Sequence, residues 1–473
     1  MLSAFSALSA CRRGAARLAA ATLVSGLVAA GAVATAGTAV ADETPQSPGG
    51  ATATLGDLKT YGSAVIHDHG EDSWVSAGLF EMSVDDGGTL QTYCIDLHNP
   101  TQRDARYQET SWSGTSLSGN KDAGRIRWIL RNSYPQVNDL SALAEKAGVG
   151  GLTEQDAAAG TQVAIWRYSD GADVDAADPK AEKLADYLQR NARDLPEPDA
   201  SLTLTPAAVS GHPGERLGPV TVHTDADGVT VAPPADTAAS GVKVVDGHGK
   251  PVTSAADGSR LFFDIPKDSA DGSASLTVQA STSVPVGRAF ASDSRSQTQI
   301  LAGSSESTVS ATATVDWAAK GAIPALTAEK NCADGGVDIT AVNKGDEAFT
   351  FELMGVEHTI AAGAAQTMTV PLQEDQAYDF TISGPSGFAK RFKGVLDCRT
   401  RGGASDITTQ TVGEPSPASI GGSGSGGSDL AETGGSGATP VIAGVAIALV
   451  LVGGAAVLFV RRKQTPEQGP AQD

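Results

Sequence analysis

Gly160-Thr161-Gln162-Val163-Ala164-Ile165-Trp166-Arg167-Tyr168 decides how this chain folds, read together with Thr92-Tyr93-Cys94-Ile95-Asp96-Leu97. The first stretch has the marks of a helix. Thr153 can cap it, with Asp156 three residues on. Ala157, Ala158 and Ala159 favour it, and Gly171 can end it. Gln162 and Trp166 then stand at i and i+4 on one face. The second stretch reads as the end of a strand, placing one cysteine in an apolar, β-rich run.

Working outward, residues 1–41 read as a secretion signal. Arg12, Arg13 and Arg17 precede the apolar run from Leu18 to Val40, and Ala39-Val40-Ala41 is a small-residue cleavage site. Removing it takes Cys11 and leaves Cys94, Cys332 and Cys398. Thiols outside the cell usually pair. Cys332 and Cys398 flank one compact segment and make a sensible disulfide, so Cys94 is the odd cysteine. A thiol and a glutamine carboxamide can lose ammonia and join as a thioester. That needs near-attack geometry and a dry site. The helix could supply Gln162, and Trp166 and Tyr93 would exclude water. On physical grounds alone Gln91, Gln102, Gln108 and Gln155 stay open as partners, and a lone buried cysteine is more often a small core residue than a reactive group.

Tyr93-Cys94-Ile95-Asp96 and Thr161-Gln162-Val163-Ala164-Ile165-Trp166 resemble the thioester domains of Gram-positive surface adhesins, over roughly residues 52–197. The resemblance implies a Cys94–Gln162 bond and helices packed over a distorted β-barrel or sheet. It also implies covalent capture of a ligand amine rather than turnover, so no enzyme is expected.

The order of elements agrees with an α+β unit. Ser63–Ile66, Trp74–Val84, Thr89–Leu97 and Arg106–Trp112 read as strands, with a hairpin turn at Asp86-Gly87-Gly88. Lys121–Asn132, Leu140–Ala147, the Gln162 run and a segment opened by Pro179 read as helices. His67 and His69 sit among acidic loop residues and read as solvated, so no metal is expected. His98, four residues after Cys94, could accept a proton, or simply end the strand. Residues 199–318 read as an all-β sandwich. This segment has no asparagine, which excludes a Lys–Asn cross-link within it; Lys243, Lys250 and Lys267 leave only a Lys–Asp bond, with Asp264 as the candidate. Residues 322–400 read as a disulfide-closed β domain. Residues 401–429 lack the apolar content for a core and read as a Gly/Ser-rich spacer of about 30 Å.

The segment 430–473 begins Leu430-Ala431-Glu432-Thr433-Gly434, followed by an uncharged span, 441–460, long enough to cross a bilayer, and then Arg461-Arg462-Lys463. This order resembles the cell-wall sorting signals read by sortases, with Ala431 where the usual pentapeptide has proline, an LAxTG variant known among actinobacterial substrates. It implies cleavage after Thr433, attachment of Thr433 to peptidoglycan, and membrane residence only before sorting.

The 34 basic against 55 acidic residues, net −21, argue against nucleic-acid binding and suit an extracellular surface. The expected architecture is thus an α+β thioester domain, two all-β sandwich-like stalk domains and a C-terminal transmembrane sorting helix. The expected function is a cell-wall-anchored, secreted adhesin that couples covalently to an amine-bearing ligand, without a cofactor. Two other readings are a non-covalent wall-anchored binding or structural protein, and a cysteine acyltransferase or hydrolase using Cys94 and His98.

Overall fold

The computed structural model describes residues 49–68, 70–234 and 240–399. The signal segment 1–41, His69, the spacer, the Leu430–Gly434 pentapeptide and the 441–460 span lie outside the described residues. Among the described residues no helix is long and apolar enough to cross a membrane.

The first strands, β1 (Thr52–Asp68) and β2 (Glu71–Val84), form a long antiparallel hairpin. β2 pairs with β3 (Thr89–Cys94), and β1 pairs with β4 (Arg106–Thr110). The ring is completed from far along the chain. Strand Ala289–Ser292 pairs with β4, strand Gln299–Ser304 pairs with β3, and the two pair with each other. The six strands make a closed antiparallel barrel, with short β5 (Val174–Ala176) added to the outer half of β1. Closure needs strong local curl. Register shifts around Leu58 provide it, and Gly78 lies close by: a Cβ there would sit 2.2 Å from the Thr60 carbonyl oxygen.

Four helices cover one side of the barrel: α1 (Ala123–Asn132), α2 (Leu140–Ala147), α3 (Glu154–Ser169) and α4 (Pro179–Asn191). The Thr153 hydroxyl accepts the Asp156 N–H at 3.1 Å, and Asp156 accepts the Thr153 N–H at 2.9 Å, completing the capping box. Gly160 lets α3 lie close on α4; a Cβ there would be 2.4 Å from the Ala181 carbonyl oxygen. Tyr93, Ile95 and Leu79 pack outward against these helices, in one core with Ile126, Val163 and Trp166. Cys94, Leu90, Met82 and Tyr107 point the other way, into the barrel, in a core continuous with the sandwich.

The sequence reading therefore needs a correction at residue 199. Residues 199–318 do build a four-stranded and a five-stranded sheet around a shared core. But the 289–304 hairpin leaves that sandwich and completes the barrel of the first unit. The junction is fastened by a buried charge cluster. Arg288 Nε donates to Glu109 Oε1 at 2.9 Å and its Nη1 to Glu197 Oε1 at 2.8 Å, while Glu109 also accepts the Ala51 and Ser201 N–H groups. Lys243 lies opposite Asp264 in the ladder but is exposed, unlike the dry site a cross-link needs.

The third unit holds one three-stranded sheet and two hairpins around Leu326, Ile339, Phe349 and Phe392. The expected Cys332–Cys398 disulfide is present, bridging 66 residues. Closing a loop of that length restricts the unfolded chain. Cys332→Ser/Cys398→Ser should lower the unit's stability by about 4 kcal/mol, read as an earlier denaturant midpoint for this unit.

Candidate functional site

Cys94 ends β3 and is fully buried, as are Gln162 on α3 and Gln299 on the Gln299–Ser304 strand. The two glutamines meet the cysteine differently. Gln162 approaches from the helix side and clamps the main chain: its Oε1 accepts the Cys94 N–H at 3.1 Å and its Nε2 donates to the Cys94 carbonyl at 2.9 Å. Gln299 pairs with Cys94 in the ladder, and its Nε2 lies 3.2 Å from the Cys94 Sγ. Thr92, two residues before Cys94 on the same face, holds Gln299 from below, its hydroxyl donating to Oε1 at 3.0 Å.

The expected Cys94–Gln162 pair thus meets at the Cys94 main chain and not at its sulfur. Successive strand side chains point to opposite faces. Tyr93 faces α3, its hydroxyl donating to the Tyr134 carbonyl at 2.9 Å, so Cys94 must face the barrel interior. A helix outside the barrel can reach the Cys94 backbone, while the neighbour of the sulfur is a strand residue. Trp166 and Tyr93, the expected shields, are fully buried on the helix side, and Tyr107 and Phe290 belong to the interior core that holds the sulfur. The sequence reading misses Gln299 because it lies within residues 199–318, read as an all-β sandwich that supplies no reactive group. The available signal was a glutamine heading a run of apolar strand residues.

Burial pushes the Cys94 thiol pKa well up; the Gln299 hydrogen bond opposes this, and the charges of Asp170 and Asp96 add to the rise. Burial thus favours the neutral thiol over the thiolate. Asp170, which accepts the Leu97 N–H at 2.9 Å, is pushed up to about 7 by burial. Burial likewise raises Asp397 of the third unit to about 6, and its Oδ2 accepts the Thr298 hydroxyl at 3.2 Å. Burial lowers the His98 pKa. Among the described residues the sulfur's hydrogen-bond partner is Gln299 and not His98, so no cysteine–base dyad is assembled. His67 bonds to Asp72 and Asp175 at the exposed hairpin end.

Comparisons with known proteins give two family matches and several solved structures. Residues 312–395 match a family model described as the C-terminal domain of bacterial phospholipase C. No curated protein matches the chain. Among solved structures, the Bacillus anthracis TIE protein is 16% identical, covering 73% of this chain and 64% of that one, with a TM-score of 0.26. The chain thus spans less than two thirds of that protein's length. The thioester domain of the Enterococcus faecium TIE86 protein is 14% identical, covering 57% of this chain and 96% of that one, with a TM-score of 0.27. Residues 91–194, which include Cys94 and Gln162 but not Gln299, match a family model described as a thioester domain, so this part of the first unit is similar to a thioester domain.

Proposed function

We propose that this protein is a secreted surface adhesin that captures its target covalently through a thioester between Cys94 Sγ and Gln299 Cδ. The observation that carries the reading is the Gln299 carboxamide against the sulfur at 3.2 Å, with both residues fully buried. Thr92 and the ladder hold Gln299, and Gln162 holds the Cys94 backbone, so both reacting groups are positioned in advance. In forming the bond, the sulfur joins Cδ, the Cδ–Nε2 bond breaks, and the thiol proton leaves with the nitrogen as ammonia. In coupling, a ligand amine joins Cδ, the Cδ–Sγ bond breaks, and one amine proton ends on the sulfur. Gln299 keeps the ligand as an amide, so each molecule acts once and is not an enzyme.

Anchoring belongs to the same proposal. The Leu430–Gly434 pentapeptide would be cut by a sortase and Thr433 joined to peptidoglycan, leaving the barrel displayed outside the cell.

The test is the intact mass of the chain with and without methylamine. A fragment ending at residue 197 would lack two barrel strands, so residues 49–399 are needed. The wild type should be lighter than its sequence by one ammonia, and methylamine should add to Gln299 and expose one thiol. Cys94→Ala should show full mass and no addition. A wild-type chain at full mass with an unreactive thiol would leave a non-covalent binding protein. Repeated turnover of a small acyl substrate would point to a hydrolase or acyltransferase.

A further inference from the structure

Next to the reactive pair lies a group of buried polar atoms that the coupling chemistry above does not use. Regular pairing ends at Cys94–Gln299, but the Ile95 N–H still donates to the Thr298 carbonyl at 3.2 Å. That bond brings together the two segments leaving the pair, and Asp96 follows Ile95 on one of them as Gln297 precedes Thr298 on the other. Asp96 is 2% exposed and Gln297 not at all. Neither side-chain amide atom of Gln297 has a hydrogen-bond partner, and the same holds for Asp96 Oδ1 and Thr101 Oγ1. Thr101 follows Pro100, whose carbonyl accepts the Gln297 N–H at 3.3 Å. Four of the eight buried side-chain atoms without a partner among the described residues thus belong to the two segments that lead away from Cys94 and Gln299, which the Ile95–Thr298 and Gln297–Pro100 backbone bonds hold together.

Unpaired buried polar groups are costly, and a fold that concentrates them beside a reactive centre invites a reason. Three of the four atoms, Asp96 Oδ1, Thr101 Oγ1 and Gln297 Oε1, are oxygens able to accept a hydrogen bond. An acceptor-rich set suits a group with several N–H bonds. We propose that Asp96, Gln297 and Thr101 form the amine subsite of the thioester, receiving the ammonia released when the bond forms and later seating the ligand's primary amine for attack on Gln299 Cδ. This assignment rests on the Cys94–Gln299 reading. It makes the site selective for primary amines, as on lysine side chains, over thiols, which offer a single weak donor.

The test compares the wild type with Gln297→Met and Asp96→Asn, all as residues 49–399. Each sample is first weighed for the loss of ammonia. Opening of the thioester is then timed with methylamine and, separately, with 2-mercaptoethanol. In the variants the methylamine rate should fall by about tenfold or more while the thiol rate changes by less than about threefold. Should either variant fail to fold, Thr101→Val deletes a single hydroxyl and carries the same comparison, with a smaller but still amine-specific fall. Equal losses with both nucleophiles, or no loss with either, would overturn the assignment. A wild-type chain at full mass would instead sink the thioester reading itself.

Discussion

With Gln299 changed to alanine, the purified chain should retain its full mass, carry a free Cys94 thiol and show no addition of methylamine. The effect should be complete, because the substitution removes the carbon that the sulfur attacks. Gln162→Ala should behave differently. It deletes the two hydrogen bonds that hold the Cys94 peptide but leaves the Gln299 carboxamide against the sulfur. Each such bond contributes about 1 kcal/mol, so ammonia loss should slow by about tenfold or more while still reaching the same product. A time course of intact mass after refolding separates the two variants. If Gln162→Ala stays at full mass and Gln299→Ala becomes lighter, the electrophile is the helix glutamine after all, and the barrel geometry has been misread.

Arg288→Ala should destabilise the barrel by about 3–5 kcal/mol. Arg288 is the cation facing Glu109, whose side chain is 1% exposed, so truncation leaves a buried carboxylate without its counter-charge. The same guanidinium donates to Glu197 and to the Pro198 carbonyl, tying the linker to the returning hairpin. Losing it should loosen the step just before strand Ala289–Ser292, and with it the strand that delivers Gln299. Arg103→Ala serves as the control: its ion pair with Asp57 is exposed, with side chains 75% and 57% accessible, and should leave the midpoint unchanged. Denaturation followed by tryptophan fluorescence, with ammonia loss scored on the same samples, would show whether stability and thioester formation fall together. A midpoint no lower than that of Arg103→Ala would mean the cluster adds no stability.

The sequence by itself determined the local parts. The Thr153 capping box, the α3 and α2 helices, the first hairpins, the odd buried cysteine and the pairing of Cys332 with Cys398 all follow from patterns spanning a few residues or from counting thiols. Gln162 was found too, because its motif lies on one continuous helix. Only the tertiary structure decided which atoms of Cys94 each glutamine meets. The alternation of Tyr93 outward and Cys94 inward was available in the sequence, but it becomes decisive only when the barrel closes and gives the two faces different neighbours. That closure depends on strands about 200 residues away from β3. A short strand such as Gln299–Ser304 carries no mark of the sheet it will join, since its continuous buried run fits a sandwich or a barrel equally well. Its place is settled by long-range pairing and by the buried Arg288–Glu109 contact, and neither can be read from a local window.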